Sequence, residues 1–399
     1  MTIEQKLAHG PIDLPFLALV MILTAVGLIM LLSASFASAM YDMDPAVNTG
    51  GDPMYYFNRQ FGFAVMGVIA MFVISKIDYQ RFRLLSVPAL VGSIILLLLI
   101  FTPLGQESNG ARRWLWLGIS FQPSEIVKVA VIMFFAARLS KRNTQSGPPK
   151  KWNRRTLAGR LGEKLDNIGL LELIPYGVIV LIVLFLLYLQ PHMSAMILVL
   201  VAAASVLFAA GIKLGWFAAA GTLAAGALVW IITQTEYMTA RIEIWQNPLS
   251  DLQHGGYQPW QSRIAIGSGG LLGKGLGNSV QKYLFLPEEH NDYIFSIVCE
   301  ELGMVGAVVI MALFALLIIR GYWLAIHARD RFGTLLIVGV ITLTGIQVFF
   351  NIGVVTGFLP PTGISLPFFS YGGTALMIQL AEMGMVLSIS RQIAAPKAE

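Results

Sequence analysis

The chain has 399 residues, of which 56% are hydrophobic and only 12% charged, with a mean hydropathy of +0.71. Soluble domains carry about 25% charged residues, so this composition excludes an ordinary water-soluble enzyme and points to an all-α polytopic membrane protein. The formal charge of +5 comes mainly from a few loops, and the single cysteine, Cys299, excludes an intramolecular disulfide or a CxxC metal site.

Apolar runs long enough to cross roughly 30 Å of hydrocarbon as helices recur along the chain. Ten are read, at about 14–36, 58–76, 84–102, 123–139, 172–189, 193–211, 214–233, 293–319, 333–356 and 371–390. The first ends in an A-x-A-like pattern at Ala37–Ala39. Its apolar run is too long for a signal peptide, and its leader mixes Lys6 with Glu4 and Asp13, so a retained helix is expected. The whole of 1–399 reads as one integral membrane domain, with no repeat strong enough to suggest an inverted-repeat transporter.

Lys and Arg set the orientation. The 140–171 loop holds a run that includes Lys150, Lys151, Arg154, Arg155 and Arg160. Lys76, Arg81 and Arg83 follow span two, and Arg320, Arg329 and Arg331 follow span eight. In a ten-helix chain these all fall on one side, which is expected to be cytoplasmic along with both termini. Membrane orientation accounts for the basic runs without a nucleic-acid partner. The 140–166 part is expected to be a connector or a short amphipathic surface helix. Segments 37–57, 103–122, 234–292 and 357–370 then lie outside, with the large loop between spans seven and eight.

That loop carries the chemistry, because clustered ionisable groups beside a bilayer are costly and mark a site by default. Its run GSGGLLGKGLG fails as a P-loop, since Ser268 stands where the first glycine belongs and Gly275 follows Lys274. It fails as a dinucleotide fingerprint because Leu272 replaces the third glycine. Two readings remain: backbone N–H groups that cradle a phosphate together with Lys274 and Lys282, or a flexible loop. Next come Glu288, Glu289, His290 and Asp292, just ahead of span eight. Desolvation at the helix mouth would raise the Asp292 pKa and suit it to accept a proton, whereas a helix N-terminus would lower it. Helix capping by Asn291 or Asp292, and metal binding by the Glu, His and Asp side chains, are the other readings.

Glu125 and Lys128, three residues apart on one helix face, form either a structural ion pair or part of a grip on an anionic headgroup, with Arg112 and Arg113 just before them. Glu300 and Glu301, two turns into span eight, must pair, hydrogen-bond or be protonated, and the expected partners are arginines and lysines of other outer-facing elements, such as Arg263. His192 and Glu382 are read as structural.

Three stretches, RRWLWLGISFQPSEIVKVA, GSGGLLGKGLGNSVQKYLFLPEEHNDYIFSIVCEELG and LPPTGISLPFFSYGGTALM, together resemble the SEDS family (shape, elongation, division and sporulation), over essentially the whole chain. The resemblance implies a peptidoglycan glycosyltransferase that polymerises lipid II at the outer face of the cytoplasmic membrane, with Asp292 as the catalytic aspartate and general base. It also maps site residues onto Arg113, Glu125 and Lys128. The full substrate-binding set expected is Arg113, Glu125, Lys128, Arg263, Lys274, Lys282, Glu288, His290 and Glu300. A divalent cation, Mg or Mn, could share the neutralisation of the diphosphate, although no metal-ligand spacing demands one. The implied partners are a class B penicillin-binding transpeptidase and divisome or elongasome proteins, and the chain ending resembles division proteins of Gram-positive lineages. One departure is visible: many members read QPDLGT after span five, where this chain has QPHMSA with His192 in place of the acid. A lipid-linked oligosaccharide flippase and a non-catalytic scaffold are the alternatives from other classes.

Overall fold

The computed structural model describes residues 10–41, 49–108, 111–116, 118, 120–141, 170–234, 236–253 and 255–393. Every expected span is a helix: α1 (Leu14–Met40), α2 (Tyr55–Ser75), α3 (Gln80–Leu99), α4 (Pro123–Leu139), α5 (Leu170–Leu189), α6 (Met193–Ala209) and α7 (Leu214–Gln234). After two further helices, α8 (Glu236–Gln246) and α9 (Tyr257–Gly269), come α10 (Ile294–Ile326), α11 (Arg331–Val355) and α12 (Gly373–Ser390). Six of these, α1, α2, α3, α10, α11 and α12, are long and apolar enough by themselves to cross a membrane. The 142–169 stretch of the basic loop lies outside the described residues.

α4 sits at the centre, packed on α3, α6 and α11. It is buried nearly all round, which explains why it tolerates a lysine: Lys128 is 1% exposed and its Nζ lies 2.7 Å from Glu125 Oε2. α12 packs most extensively on α2, and α10 lies between α1 and α11. α1 continues unbroken through Ala37–Ala39.

The two basic turns do share one end of the bundle. The Tyr79 hydroxyl and Gln80 Nε2, between α2 and α3, both donate to Asp330, between α10 and α11, at 2.8 and 2.9 Å. Gln392, just past α12, donates to Asp78 at 2.9 Å, and Arg391 donates to the Gly10 carbonyl at 3.0 Å.

At the opposite end the polar segments are more ordered than a loop reading suggests. Residues 103–122 form an antiparallel sheet of β1 (Gly105–Ser108), β2 (Ala111–Trp116) and β3 (Ser120–Phe121), in which Glu107 faces Arg112. Neighbours on a strand point to opposite faces. Arg112 is accordingly exposed against Glu107, while Arg113 turns inward to the carbonyls of Gln190 and Pro191. The 234–292 segment contains α8 and α9, and the Ser262 hydroxyl pins α9 to the Val355 carbonyl and to Ser296, both at 2.8 Å.

α10 is not one regular helix. Gly303 has φ 68 and ψ −170, so the chain breaks there. A break orphans carbonyls on one side and N–H groups on the other. The glycine-rich run supplies the partners: Lys274 and Gly275 N–H donate to the Glu300 and Glu301 carbonyls, and Met304 and Val305 N–H donate to the Gly270 and Leu271 carbonyls, all at 2.9–3.1 Å. A Cβ at Gly273 would lie 2.1 Å from the Glu301 oxygen, so the two segments meet too closely for any side chain. The run is a backbone clasp on a broken helix.

Candidate functional site

The clasp accounts for several of the expected site residues. The Glu300 carboxylate is fully buried and receives Lys274 Nζ at 2.6 Å, the Ser279 hydroxyl at 2.5 Å and the Val280 and Gln281 N–H groups at 3.1 and 3.2 Å. Lys282 Nζ donates to Glu301 at 3.0 Å, to the Gly277 carbonyl at 2.6 Å and to the Ser33 hydroxyl at 3.1 Å. An ammonium has three hydrogens. Lys282, 2% exposed, therefore has none left for a substrate, whereas Lys274 keeps about a third of its side-chain surface, at 32%. Of the arginines and lysines expected to pair with Glu300 and Glu301, the two lysines do so and the example Arg263 is corrected: it donates to the Trp245 carbonyl at 3.2 Å, and Trp245 in turn donates to the Gly357 carbonyl at 2.9 Å. Among the described residues no hydrogen bond or ion pair joins the clasp to Asp292.

Asp292 belongs to a different group. Its carbonyl accepts from Asn351 Nδ2 of α11 at 2.7 Å, and the same amide donates to the Ile364 carbonyl at 2.8 Å. One asparagine thus joins the acid to the 361–373 segment. That segment is further held by Ser370, whose hydroxyl donates to the Asn291 carbonyl at 2.8 Å, by Tyr371 N–H on the His290 carbonyl at 2.9 Å, and by Gln60 of α2. Gly363, at φ 69, lets the backbone pass close to the acid: a Cβ there would lie 3.2 Å from Asp292 Oδ2. Burial and then the Glu288 carboxylate push the Asp292 pKa up to about 6, against the opposing pull of Arg113 and His290. The sequence left that sign open, and desolvation decides it.

Glu288 is exposed, has φ 56 and accepts from Asn291 Nδ2. His290 is buried, with its ring centroid 4.5 Å from that of Tyr56 and its Nδ1 3.5 Å from Glu289. Glu289 also accepts from the Ser38 hydroxyl of α1. These two residues therefore brace the acid's segment, while Glu288 acts on it electrostatically.

Arg113 connects Asp292 to the central helix. It acts on Asp292 and, with Lys128, on His192. Lys128 and Glu125 in turn act on the buried Glu382 of α12. Glu125 and Glu382, with Gln347, Gln379 and residues of the 365–372 segment, line a small pocket. His192 and Glu382, which sequence reasoning treats as structural, thus lie in the same charged chain as Arg113 and Lys128. Their only local signal is a polar residue in an apolar setting, which does not say what it meets. Among the described residues no three His, Cys, Asp or Glu side chains gather as a metal-binding set.

The family model described as "Cell cycle protein", covering FtsW, RodA and SpoVE, matches residues 14–395. The chain belongs to this family. It is 37% identical to the "Probable peptidoglycan glycosyltransferase FtsW" of Geobacter metallireducens, over 96% of this chain and 95% of that one. It is also 37% identical to the "Stage V sporulation protein E" of Bacillus subtilis, over 95% and 97%. Identity therefore does not choose between the Gram-positive lineage expected from the chain ending and the Geobacter one. Among solved structures, a chain of the complex described as "Structural coordination of polymerization and crosslinking by a peptidoglycan synthase complex" superposes with a TM-score of 0.71 at 28% identity, covering 95% of this chain and 98% of that one. The rod shape determining protein RodA of Thermus thermophilus follows at 0.65 and 27%, covering 96% and 98%.

Proposed function

We propose that this membrane protein is a peptidoglycan glycosyltransferase that polymerises lipid II, with Asp292 as the general base. The observation that carries the reading is Asp292, half-buried at the mouth of α10, with its backbone carbonyl held by Asn351, its carboxylate beside Gly363 and its pKa raised to about 6. A base works best when its pKa lies near the operating pH, where it is ionised yet still takes up a proton readily. Asp292 removes the proton from the sugar 4-hydroxyl of one lipid II as that oxygen attacks the anomeric carbon at the reducing end of the growing chain. The bond from that carbon to the lipid diphosphate breaks with inversion, giving a β-1,4 link. Arg113, and beyond it Lys128, offset charge on the departing diphosphate. A divalent cation, if used, would share the neutralisation of the departing diphosphate.

The basic turns, at the opposite end of α10 from Asp292, support an outward-facing site with cytoplasmic termini. The likeness to a synthase complex and the FtsW name of relatives support a transpeptidase partner of the class B penicillin-binding type and a role in division. Filaments on depletion are the phenotype that role requires; rounded cells would assign elongation instead. Purified protein reconstituted with labelled lipid II provides the direct test of activity. Wild type is expected to form long glycan chains and Asp292→Asn none. Transbilayer movement of lipid II without polymer would replace this reading with a flippase.

A further inference from the structure

The turn between α5 and α6 holds a group that the base chemistry does not use. His192 Nε2 lies 3.4 Å from Gln122 Nε2. An amide nitrogen only donates, so the ring nitrogen accepts and a neutral imidazole carries its hydrogen on Nδ1. That Nδ1 is buried and has no hydrogen-bond partner among the described residues. A buried donor with nothing to bond is costly, and such an orphan beside a site calls for an acceptor from a ligand.

The surroundings define that acceptor. Arg113, from β2, is bonded to the carbonyls of Gln190 and Pro191, immediately before His192, and Lys128 acts on the ring from α4. Burial and these two cations hold the imidazole pKa down to about 3, so the ring is neutral throughout the working range. A neutral donor flanked by cations suits an anionic oxygen. The same turn also reaches the base: the Ser194 hydroxyl donates to the Thr362 carbonyl, next to the Gly363 that abuts Asp292.

We propose that the His192 Nδ1–H, together with Arg113 and Lys128, forms the donor site for a phosphate oxygen of the lipid-linked diphosphate, making His192 a substrate-binding residue of this chain. The proposal rests on the glycosyl-transfer reading above, which supplies the diphosphate as leaving group. The same chemistry would accept free pyrophosphate, and the experiment separates the two sources.

Binding of a short polyprenyl diphosphate to protein in nanodiscs is measured beside inorganic pyrophosphate, for wild type, His192→Phe and His192→Asn. Phenylalanine keeps a ring and removes the donor, and asparagine restores an N–H near the Nδ1 position. The expected result is affinity for the lipid form weakened about tenfold or more by Phe and close to wild type for Asn. Pyrophosphate should bind more weakly than the lipid form. The ¹⁵N signals of the ring report the second readout. The charged groups acting on it are Arg113 and Lys128, the latter paired with Glu125. A bound anion offsets them, so the imidazole titration should move to higher pH when ligand is added.

A Phe variant that melts like wild type and binds the diphosphate equally well overturns the proposal, as does a ring whose titration ignores saturating ligand. Equal affinity for pyrophosphate overturns the lipid source. If wild type does not polymerise lipid II but binding still depends on His192, the enzymatic reading falls and the anion site stands. Polymerisation with normal binding by Phe gives the reverse.

Discussion

At the scale of single residues, the raised pKa of Asp292 couples activity and stability in opposite directions. Ionisation is needed for the base, so polymerisation should rise with pH along a limb centred near 6. The unfolded carboxyl titrates near its model value of 3.8, so between 3.8 and about 6 the folded state binds more protons. Folding stability therefore falls as pH rises through that window, by about 3 kcal/mol at neutrality. Asp292→Asn removes both the base and this cost, and should melt at or above the wild-type temperature at pH 7 while forming no glycan. An inactive variant that melts well below wild type would mean the carboxylate is structural. Glu125 and Lys128 pose the converse question, because an ion pair in a packed helix can be purely structural. Removing one partner of such a pair costs about 3–5 kcal/mol, and replacing both by apolar groups recovers most of it. Glu125 lines the pocket and, with Lys128, acts on Glu382, so the double variant Glu125→Leu with Lys128→Met is expected to be stable but inactive. Full activity in that stable double variant would remove both from the site.

Among the elements, the broken α10 and its clasp carry the most information. The acids Glu300 and Glu301 lie on the short leg before Gly303, and the loop that bridges the break brings Lys274 and Lys282 onto them. Four backbone bonds and two buried carboxylates then hold the leg whose first turn follows Asp292. Gly303→Ala forces a side chain into a backbone region open essentially to glycine, with a Cβ 2.3 Å from the Gly273 nitrogen. The expected cost is roughly 2–4 kcal/mol, read as a lower melting temperature in detergent. An alanine variant that melts like wild type would show that the break is not needed. The sequence displayed all the parts of this clasp. A glycine-rich run beside two lysines reads equally well as a phosphate cradle, because local spacing does not reveal which carbonyls its N–H groups meet some thirty residues later.

For the whole molecule, the bundle separates two polar ends. Asp292, Arg113 and the 361–373 segment lie at one, and the turns carrying Lys76, Arg81, Arg329 and Arg331 at the other. With Cys299→Ala as background, a membrane-impermeant thiol reagent on wall-less cells should label a cysteine at the exposed Ser250 and spare one at Arg329. The reverse pattern would turn the site inward and sink the proposed reaction with it.

The ten spans, their shared basic side, the Glu125–Lys128 pair and the prominence of Asp292 are all determined by local sequence, because hydropathy over about 20 residues, loop charge and i,i+3 spacing need no knowledge of distant neighbours. α8 and α9 escaped that reading, since helices outside the apolar core carry no strong hydrophobic run. Only the tertiary structure decided that Glu300 and Glu301 take Lys274 and Lys282 and not Arg263, that the glycines close a broken helix, and that desolvation outweighs a helix N-terminus at Asp292. It also brought His192 beside Arg113, 79 positions earlier in the chain, and within electrostatic reach of Lys128. Each of these depends on burial and on which side chain is nearest in space, and a linear pattern fixes neither.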